Sequence, residues 1–173
     1  NHHSLTAEWR ASDLGPISAG LAVRHDIFSD FKDATSFRAS LKGDLGSGFS
    51  ISANYGEGIA QPTFFDLYGF TPQSFVGNPG LKPESSRGGD ISLRYAADQL
   101  GGAITYFRQG LKDEIATVFL PDFTSTAVNA DGKSKRQGIE LEGYYHHSDA
   151  LRLTINYARL KASEPDVGDA RLK

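Results

Sequence analysis

The sequence predicts an all-β fold, an antiparallel meander of about eight strands that forms an arc of a larger transmembrane β-barrel. Two observations carry this prediction. Apolar and polar residues alternate with period two along the chain, and the connections alternate between short turns and long loops. The composition agrees, because 19 Gly, 11 Phe and 7 Tyr in 173 residues favour strands and turns. The predicted strands cover residues 4–11, 17–25, 36–43, 49–56, 89–97, 102–118, 137–147 and 150–161.

Each of the first four strands has one apolar and one polar face. Trp9 lies between Glu8 and Arg10 in the first strand, and Leu41 lies between Ser40 and Lys42 in the third. This pattern indicates strands whose two faces have different surroundings. The apolar positions are Leu5, Ala7, Trp9 and Ala11, then Ile17, Ala19, Leu21 and Val23, then Phe37, Ala39 and Leu41, and then Phe49, Ile51, Ala53 and Tyr55.

The last four strands alternate less uniformly. The sixth is ambiguous, because Ile104 and Tyr106 compete with Ala103 and Phe107 for the apolar face. The other three have apolar positions at Ile91, Leu93 and Tyr95, at Ile139, Leu141 and Tyr145, and at Leu151, Leu153, Ile155 and Tyr157. We expect one outward, lipid-facing side to carry Leu21, Leu41, Ile51, Leu93, Leu141, Leu153 and Ile155.

The connections differ in length in a regular way. Short polar turns cover residues 12–16, 43–48, 97–101 and 147–150, and longer loops cover residues 26–35, 56–89 and 121–135. Outer-membrane barrels have tight turns at the periplasmic rim and long loops at the extracellular rim. The alternation therefore predicts a barrel wall, with residues 1–173 belonging to one transmembrane β-barrel domain.

The polar faces carry many charged side chains, which a narrow eight-stranded barrel could hold only by packing them into its interior. A wide lumen would leave them hydrated or paired, so we interpret the chain as part of a larger barrel. A complete small eight-stranded outer-membrane protein and a soluble all-β binding or adhesion module remain as alternatives. The candidate lumen-facing residues are Arg24, Arg38, Asp90, Arg94, Glu140, Glu142 and Arg152.

Three segments resemble TonB-dependent outer-membrane receptors of the siderophore and cobalamin type. The first is NYGEGIAQPTFFDLYGF, the second is GNPGLKPESS and the third is RQGIELEG, and they occur in the family's order between residues 54 and 143. Ile59 stands where the family usually has Phe. The matching residues are Tyr55, Gly56, Gly58, Pro62, Leu67 and Tyr68, then Asn78, Pro79, Leu81, Lys82, Pro83, Glu84 and Ser85, and then Gly138, Ile139, Glu140 and Glu142.

The resemblance implies a function as well as a fold. It implies a roughly 22-stranded barrel, plugged by an N-terminal domain, in the outer membrane of a Gram-negative bacterium. Such a receptor binds a scarce nutrient, a metal chelate or a cobalamin-like cofactor, and imports it with energy from the TonB complex. The plug domain, the remaining strands and the contacts with TonB are expected outside this chain. Its partners would be membrane lipid, the TonB complex and a small-molecule nutrient.

The loop at residues 56–89 contains five aromatic residues in a connection that should face the outside of the cell. Exposed apolar residues in a loop mark a contact site or a loop that folds on itself. We interpret them as a surface that grips the nutrient, and packing of the loop on itself remains the alternative. The candidate ligand-binding residues are Phe64, Phe65, Tyr68, Phe70 and Phe75.

The sequence gives no sign of an enzyme, a metal site or a resident cofactor. Phosphate-binding, zinc-protease and serine-hydrolase motifs are absent from it. Glu140 and Glu142 could form an acid–base pair, but lumen charges answered by neighbouring cations are the favoured interpretation. Asp26, Asp30 and Asp33 lack the spacing of a calcium loop. A net charge of −3 argues against a nucleic-acid surface.

Overall fold

The computed structural model describes residues 2–148 and 150–165. These residues form twelve strands and one short helix. In chain order they are β1 (His2–Leu14), β2 (Ile17–Phe28), β3 (Ala34–Gly46), β4 (Phe49–Ala60), α1 (Phe64–Tyr68), β5 (Phe70–Thr71), β6 (Phe75–Val76), β7 (Glu84–Ala96), β8 (Leu100–Lys112), β9 (Ile115–Phe119), β10 (Ser125–Asn129), β11 (Lys133–Ser148) and β12 (Leu151–Ser163).

Eight long strands form one sheet in the order β1-β2-β3-β4-β7-β8-β11-β12, and every neighbouring pair is antiparallel. The predicted meander is therefore confirmed. Within the described residues β1 and β12 are unpaired edges, so the sheet does not close on itself. The alternative of a complete eight-stranded barrel is wrong for this chain, because closure would require a ladder between those two strands.

The predicted sixth strand, residues 102–118, is wrong as a single element. The chain leaves the sheet after Lys112, passes through Asp113 at a φ of +56°, and starts a second strand, β9, in a different sheet. Several other strands are longer than predicted. β7 begins at Glu84 rather than residue 89, because Ser85 to Gly88 continue the ladder with β4 although they show no apolar alternation.

Side-chain direction follows the register, since directly paired residues point to the same side of a sheet. Ile51 lies opposite Leu93, Leu93 opposite Ile104, and Ile104 opposite Leu141. The expected outward set shares this apolar face, as predicted. The ambiguity in β8 is resolved: Ile104 and Tyr106 lie on the apolar face, and Phe107 lies on the other.

Two long connections pack together in a second, smaller layer, which we call the loop layer and define as residues 61–83 and 113–132. It contains α1 and a four-stranded sheet in the order β5-β6-β10-β9, in which β6 and β10 are parallel. Its core consists of Leu67, Phe75, Leu81 and Ala127, with Phe31 and Ile115 packed against it. Neither α1 nor this sheet is predicted by the sequence pattern.

The helix α1 has five residues. Residues 2–148 and 150–165 include no helix with the length and hydropathy that a membrane crossing needs.

Candidate functional site

Motif residues identified in the sequence hold the two connections of the loop layer together. The Asn78 side chain donates from Nδ2 to the carbonyl of Ala127 at 2.9 Å and accepts from the backbone N–H of Gly80 at 3.0 Å. Leu81 is buried in the core. Asn78 and Leu81 therefore join the segment before β7 to β10, which makes their role structural.

Asn129 forms a second set of hydrogen bonds within the loop layer, and the sequence pattern does not predict this role. Its Oδ1 accepts from the N–H of Lys82 at 2.8 Å, and its Nδ2 donates to the carbonyls of Lys82 at 2.9 Å and Asp113 at 2.7 Å. One side chain thus satisfies three backbone groups in two segments. It also holds Asp113 at the point where the chain turns from β8 to β9.

The carboxylates of two glutamates connect the loop layer to strands of the large sheet. Glu84, a motif residue at the start of β7, accepts from the N–H of Ile115 at 2.6 Å. Glu114 accepts from the hydroxyl of Ser134, which is fully buried on β11. Buried polar groups must be hydrogen-bonded, so these contacts fix how the loop layer sits on the strand ends.

The glycines of the motifs lie where side chains approach the backbone. At Gly138 a Cβ would come within 2.8 Å of the ring of Phe107 on β8. At Gly58 it would meet the hydroxyl of Ser86 at 3.0 Å, whereas at Gly56 its nearest neighbour is the Arg38 side chain at 4.0 Å. Gly138 therefore makes room for the backbone carbonyl of Arg159, which a Cβ would overlap, and for Phe107 on the polar face. The remaining motif residues, Tyr55, Pro62, Pro79 and Pro83, lie at the exit of β4 and on the return path to β7.

The helix α1 presents aromatic rings on its exposed side. A capping box starts it: the Thr63 hydroxyl accepts from the N–H of Asp66, and the Asp66 carboxylate accepts from the N–H of Thr63. Leu67 points into the core, while the rings of Phe64 and Tyr68, one turn apart, lie 5.2 Å from each other. A short, firmly capped helix therefore holds a pair of rings outside the core.

The five predicted aromatic residues divide into two groups. Phe64, Phe65, Tyr68 and Phe70 are exposed, and Phe70 keeps 71% of its surface accessible. Phe75 corrects the prediction: it is only 8% exposed and stacks on Phe65 with ring centroids 4.5 Å apart. Phe75 is a core residue because β6 turns it into the loop layer, so self-packing accounts for this residue.

The structure adds an aromatic residue that the sequence analysis missed. Phe123 lies in the turn between β9 and β10 at a φ of +65° and is 81% exposed. The neighbouring Asp122 accepts from the Thr124 hydroxyl at 2.7 Å and from its N–H at 3.1 Å, and these hydrogen bonds lower the pKa of the Asp122 carboxyl. The Pro-Asp-Phe run between two β-branched segments is the signal that could have identified this hairpin.

All seven candidate lumen residues lie on one face of the large sheet, opposite the apolar face. A hollow of about 860 Å³ on β1 to β4 is lined in part by Arg24 and Arg38. Asp90 accepts from the side-chain amide of Asn54 at 2.9 Å. Most side chains on this face are polar, and the face can hold water or a charged molecule.

The charged pairs on this face argue against an acid–base site. Glu142 lies 3.6 Å from Arg94 across the intervening strand, at the point where the small Ala103 separates them. Arg152 on β12 contacts His146. Glu142 thus has the cationic neighbour that the favoured interpretation expects, whereas Glu140 has no ionic partner within 4.0 Å among the described residues.

The three aspartates of the first long loop do not converge. Arg24 and His2 both contact Asp26 on β2, while Asp30 accepts from Ser29 and Asp33 accepts from the N–H of Phe28. Among residues 2–148 and 150–165, no three acidic, histidine or cysteine side chains are grouped as a metal ion requires.

The chain matches the family model "TonB dependent receptor-like, beta-barrel" over residues 4–172. It is 33% identical over 141 residues to the vitamin B12 transporter BtuB of Photobacterium profundum, a match covering 79% of this chain and 22% of that protein. It is 32% identical over 112 residues to the heme/hemopexin utilization protein C of Haemophilus influenzae, covering 56% of this chain and 16% of that protein. The chain thus spans about a fifth of the length of these relatives.

The fold is also found in solved receptors. The siderophore receptor PirA from Pseudomonas aeruginosa superposes with a TM-score of 0.84 at 22% identity, over 95% of this chain and 32% of that one. The copper transporter OprC superposes with a TM-score of 0.72 over 92% of this chain. These structures show the fold, and the match to the family model over residues 4–172 shows that the chain belongs to the TonB-dependent receptor family and is a part of its β-barrel.

Proposed function

We propose that this chain is the nutrient-gripping part of an outer-membrane receptor that binds a scarce nutrient and imports it with energy supplied through TonB. The observation that carries the proposal is the set of exposed aromatic rings on the loop layer, at the end of the barrel wall where the long connections lie. Phe64, Tyr68, Phe70 and Phe123 project from a layer whose own core is already filled. Exposed apolar groups on an ordered scaffold are typical of a contact surface.

The polar face supports the same proposal from inside the barrel. In a wide barrel it would line the lumen, and Arg24, Arg38, Asp90, Arg94, Glu140, Glu142 and Arg152 would be the side chains that a passing nutrient meets. Arg24 is paired with Asp26, but Arg38 lines the same hollow without an ion pair among the described residues and favours a ligand that carries negative charge. A metal chelate or a cobalamin-like cofactor, held first by the rings and then by this wall, fits both surfaces.

The rest of the import machinery belongs to the proposal as well. Residues 1–173 would form one section of a single barrel domain in the outer membrane of a Gram-negative bacterium, contacting lipid on the apolar face. The plug and the segment that contacts TonB would be supplied by other parts of the protein. The proposal includes no catalytic role and no resident cofactor.

Growth of a strain that lacks the full-length receptor tests the function. The strain is supplied with vitamin B12, heme or a ferric siderophore as limiting nutrient, and is complemented with the wild-type receptor or with variants. We expect complementation on one nutrient, and loss of uptake at low concentration for Phe70→Ala/Phe123→Ala. Binding by that variant should weaken at least about tenfold, because exposed aromatic anchors dominate such contacts.

The matched control removes two exposed aromatic rings from the apolar face of the sheet, Phe37→Ala/Tyr157→Ala. It should bind the nutrient as the wild type does when present at the same level in the outer membrane. Equal weakening in both double variants would contradict the assignment of the rings. Growth that never depends on the receptor for any of these nutrients would contradict the import function.

A further inference from the structure

Seven exposed basic side chains lie together on the apolar face of the large sheet, at the end that carries the loop layer, and one of them, Lys112, is paired with Asp113 at 3.6 Å. The register places them on four neighbouring strands, β7, β8, β11 and β12. We call the six without an ion pair the basic cluster: Arg87, Arg108, Lys133, Lys135, Arg159 and Lys161.

The cluster is organised in adjacent rows across these strands. Arg87 lies opposite Gly110, and Gly110 lies opposite Lys135, so two cations flank a position with no side chain. In the next row, Arg108 lies opposite Gln137, which lies opposite Lys161. Neighbouring strands are about 4.8 Å apart, so an anionic group at Gly110 would be within reach of cations on both sides.

The cluster has almost no neutralising partner. None of its six side chains has a carboxylate within 4.0 Å among residues 2–148 and 150–165, and the same face of these four strands carries no Asp or Glu there. The nearest acid by register is Glu57, opposite Arg87. Its carboxylate already accepts from the N–H of Phe37 and the hydroxyl of Tyr55.

The charge is confined to one side of the sheet. On β1 to β4 the apolar face carries no Lys or Arg, and its positions at the loop end include Leu5, Ile27, Thr35 and Ile59. A belt of cations for general solubility would continue across all eight strands. Because the basic side chains of this face are restricted to β7, β8, β11 and β12, they indicate a localised site.

The apolar band begins directly beside the cluster on the same face. Ile91, Tyr106 and Ile139 form a paired row that ends at Arg159, and Leu93, Ile104 and Leu141 form the next row. A ligand that matches this surface has an anionic head beside the cations and long apolar chains along the band. A phosphorylated lipid has this chemistry.

We propose that the basic cluster is a localised site for the phosphate groups of lipopolysaccharide in the outer leaflet. Its acyl chains lie along the apolar band of β7, β8, β11 and β12. The inference rests on the proposed function, because it takes the loop layer to be at the extracellular end of a barrel in the outer membrane. Membrane-facing cations beside an apolar band interact with anionic headgroups at short range.

The full-length receptor in phosphatidylcholine nanodiscs tests the site. Diphosphoryl lipid A or its dephosphorylated form is added at low salt, and native mass spectrometry measures the fraction of receptor that retains it. We expect the wild type to retain the phosphorylated form and to bind the dephosphorylated form far more weakly. Lys135→Gln/Lys161→Gln should weaken retention about thirtyfold, equivalent to about 2 kcal/mol for two cations.

The matched control, Lys42→Gln/Arg136→Gln, removes the same charge from the opposite face, and should retain the lipid as the wild type does. Lys135→Arg/Lys161→Arg keeps the charge and should also retain it, which separates a folding defect from loss of the site. Equal retention of both lipid forms, or equal loss in the two Gln doubles, would overturn the inference. Nutrient uptake is measured separately in cells, so failure of the import proposal and failure of the lipid site give different results.

Discussion

In the eight-stranded sheet the large apolar side chains are exposed, whereas in the loop layer a smaller set is buried. Leu41 and Ile155 keep 52% and 71% of their surfaces accessible, but Leu67 keeps 8%. In the proposed barrel the same residue types face two different media: the sheet would expose its apolar face to lipid, whereas the loop layer buries its apolar side chains away from water. Exposure of Leu or Ile is therefore uninformative until the surrounding medium is known.

The largest difference between the two regions should appear when Leu is truncated. Leu67→Ala leaves a cavity in a packed protein core and should destabilise the loop layer by about 2–5 kcal/mol. Leu41→Ala leaves none, because acyl chains fill the space, so its cost should be clearly smaller. Refolding of the full-length receptor in lipid, with amide exchange in residues 61–83, measures both. A loss above about 3 kcal/mol for Leu41→Ala would mean that this side chain packs against protein.

A charge on the apolar face should have the next largest effect. Leu41→Arg or Leu153→Arg should cost about 2–4 kcal/mol if the site is near the bilayer midplane, because lipid cannot hydrate the cation. Ser40→Arg and Thr154→Arg, one residue away on the polar face, should cost little. Equal costs on the two faces in a lipid refolding titration would remove the distinction between them.

Loss of the Asn129 hydrogen bonds within the loop layer should have a smaller effect on stability. Asn129→Ala removes three hydrogen bonds to backbone groups of Lys82 and Asp113, which at about 0.5–1.5 kcal/mol each should destabilise the loop layer and increase amide exchange in β9 and β10. Asn54→Ala is the control, since the Asn54 side chain is exposed and makes one hydrogen bond to Asp90. Unchanged exchange in β9 and β10 for Asn129→Ala would show that the apolar core alone holds the two loops together.

The smallest effect concerns pH at the β9–β10 turn. The Asp122 pKa is lowered by hydrogen bonds from Thr124, so the charged form is favoured by folding. Its contribution is complete above the ordinary value of about 3.9 and is lost as the pH falls through the lowered pKa. The protection of the Thr124 amide, after correction for the pH dependence of intrinsic exchange, should stay constant from neutral pH down to about pH 4 and fall below it. In Asp122→Asn this dependence should disappear, and a transition well above pH 4 in the wild type would contradict the assignment.

The barrel wall could be predicted from the sequence, and the loop layer could not. Period-two alternation arises because the two faces of a strand have different surroundings, so the pattern alone predicts strands such as β3 and β12. The first residues of β7 do not, because Ser85 to Gly88 are paired by their backbone without an apolar face. The short turns predict four hairpins, β1–β2, β3–β4, β7–β8 and β11–β12, and the meander assumes that the longer connections join neighbouring hairpins.

The loop layer depends on contacts between residues far apart in the chain. Asn78 reaches Ala127, and Asn129 reaches Lys82, across separations that no local pattern encodes. The Thr63–Asp66 capping box was a readable signal for α1, as was the Pro-Asp-Phe turn for Phe123. The burial of Phe75 could not be distinguished from the exposure of Phe70, because both lie in the same aromatic-rich segment.

A spin-label scan of β3 tests most directly whether the two faces of the sheet meet different solvents. Single labels at residues 36–42 of the full-length receptor in bilayers report collisions with oxygen, which is enriched in lipid, and with a water-soluble nickel chelate. We predict alternation with period two: positions 37, 39 and 41 favour oxygen, and positions 36, 38, 40 and 42 favour the chelate. The same accessibility at odd and even positions, or the reverse alternation, would contradict the account.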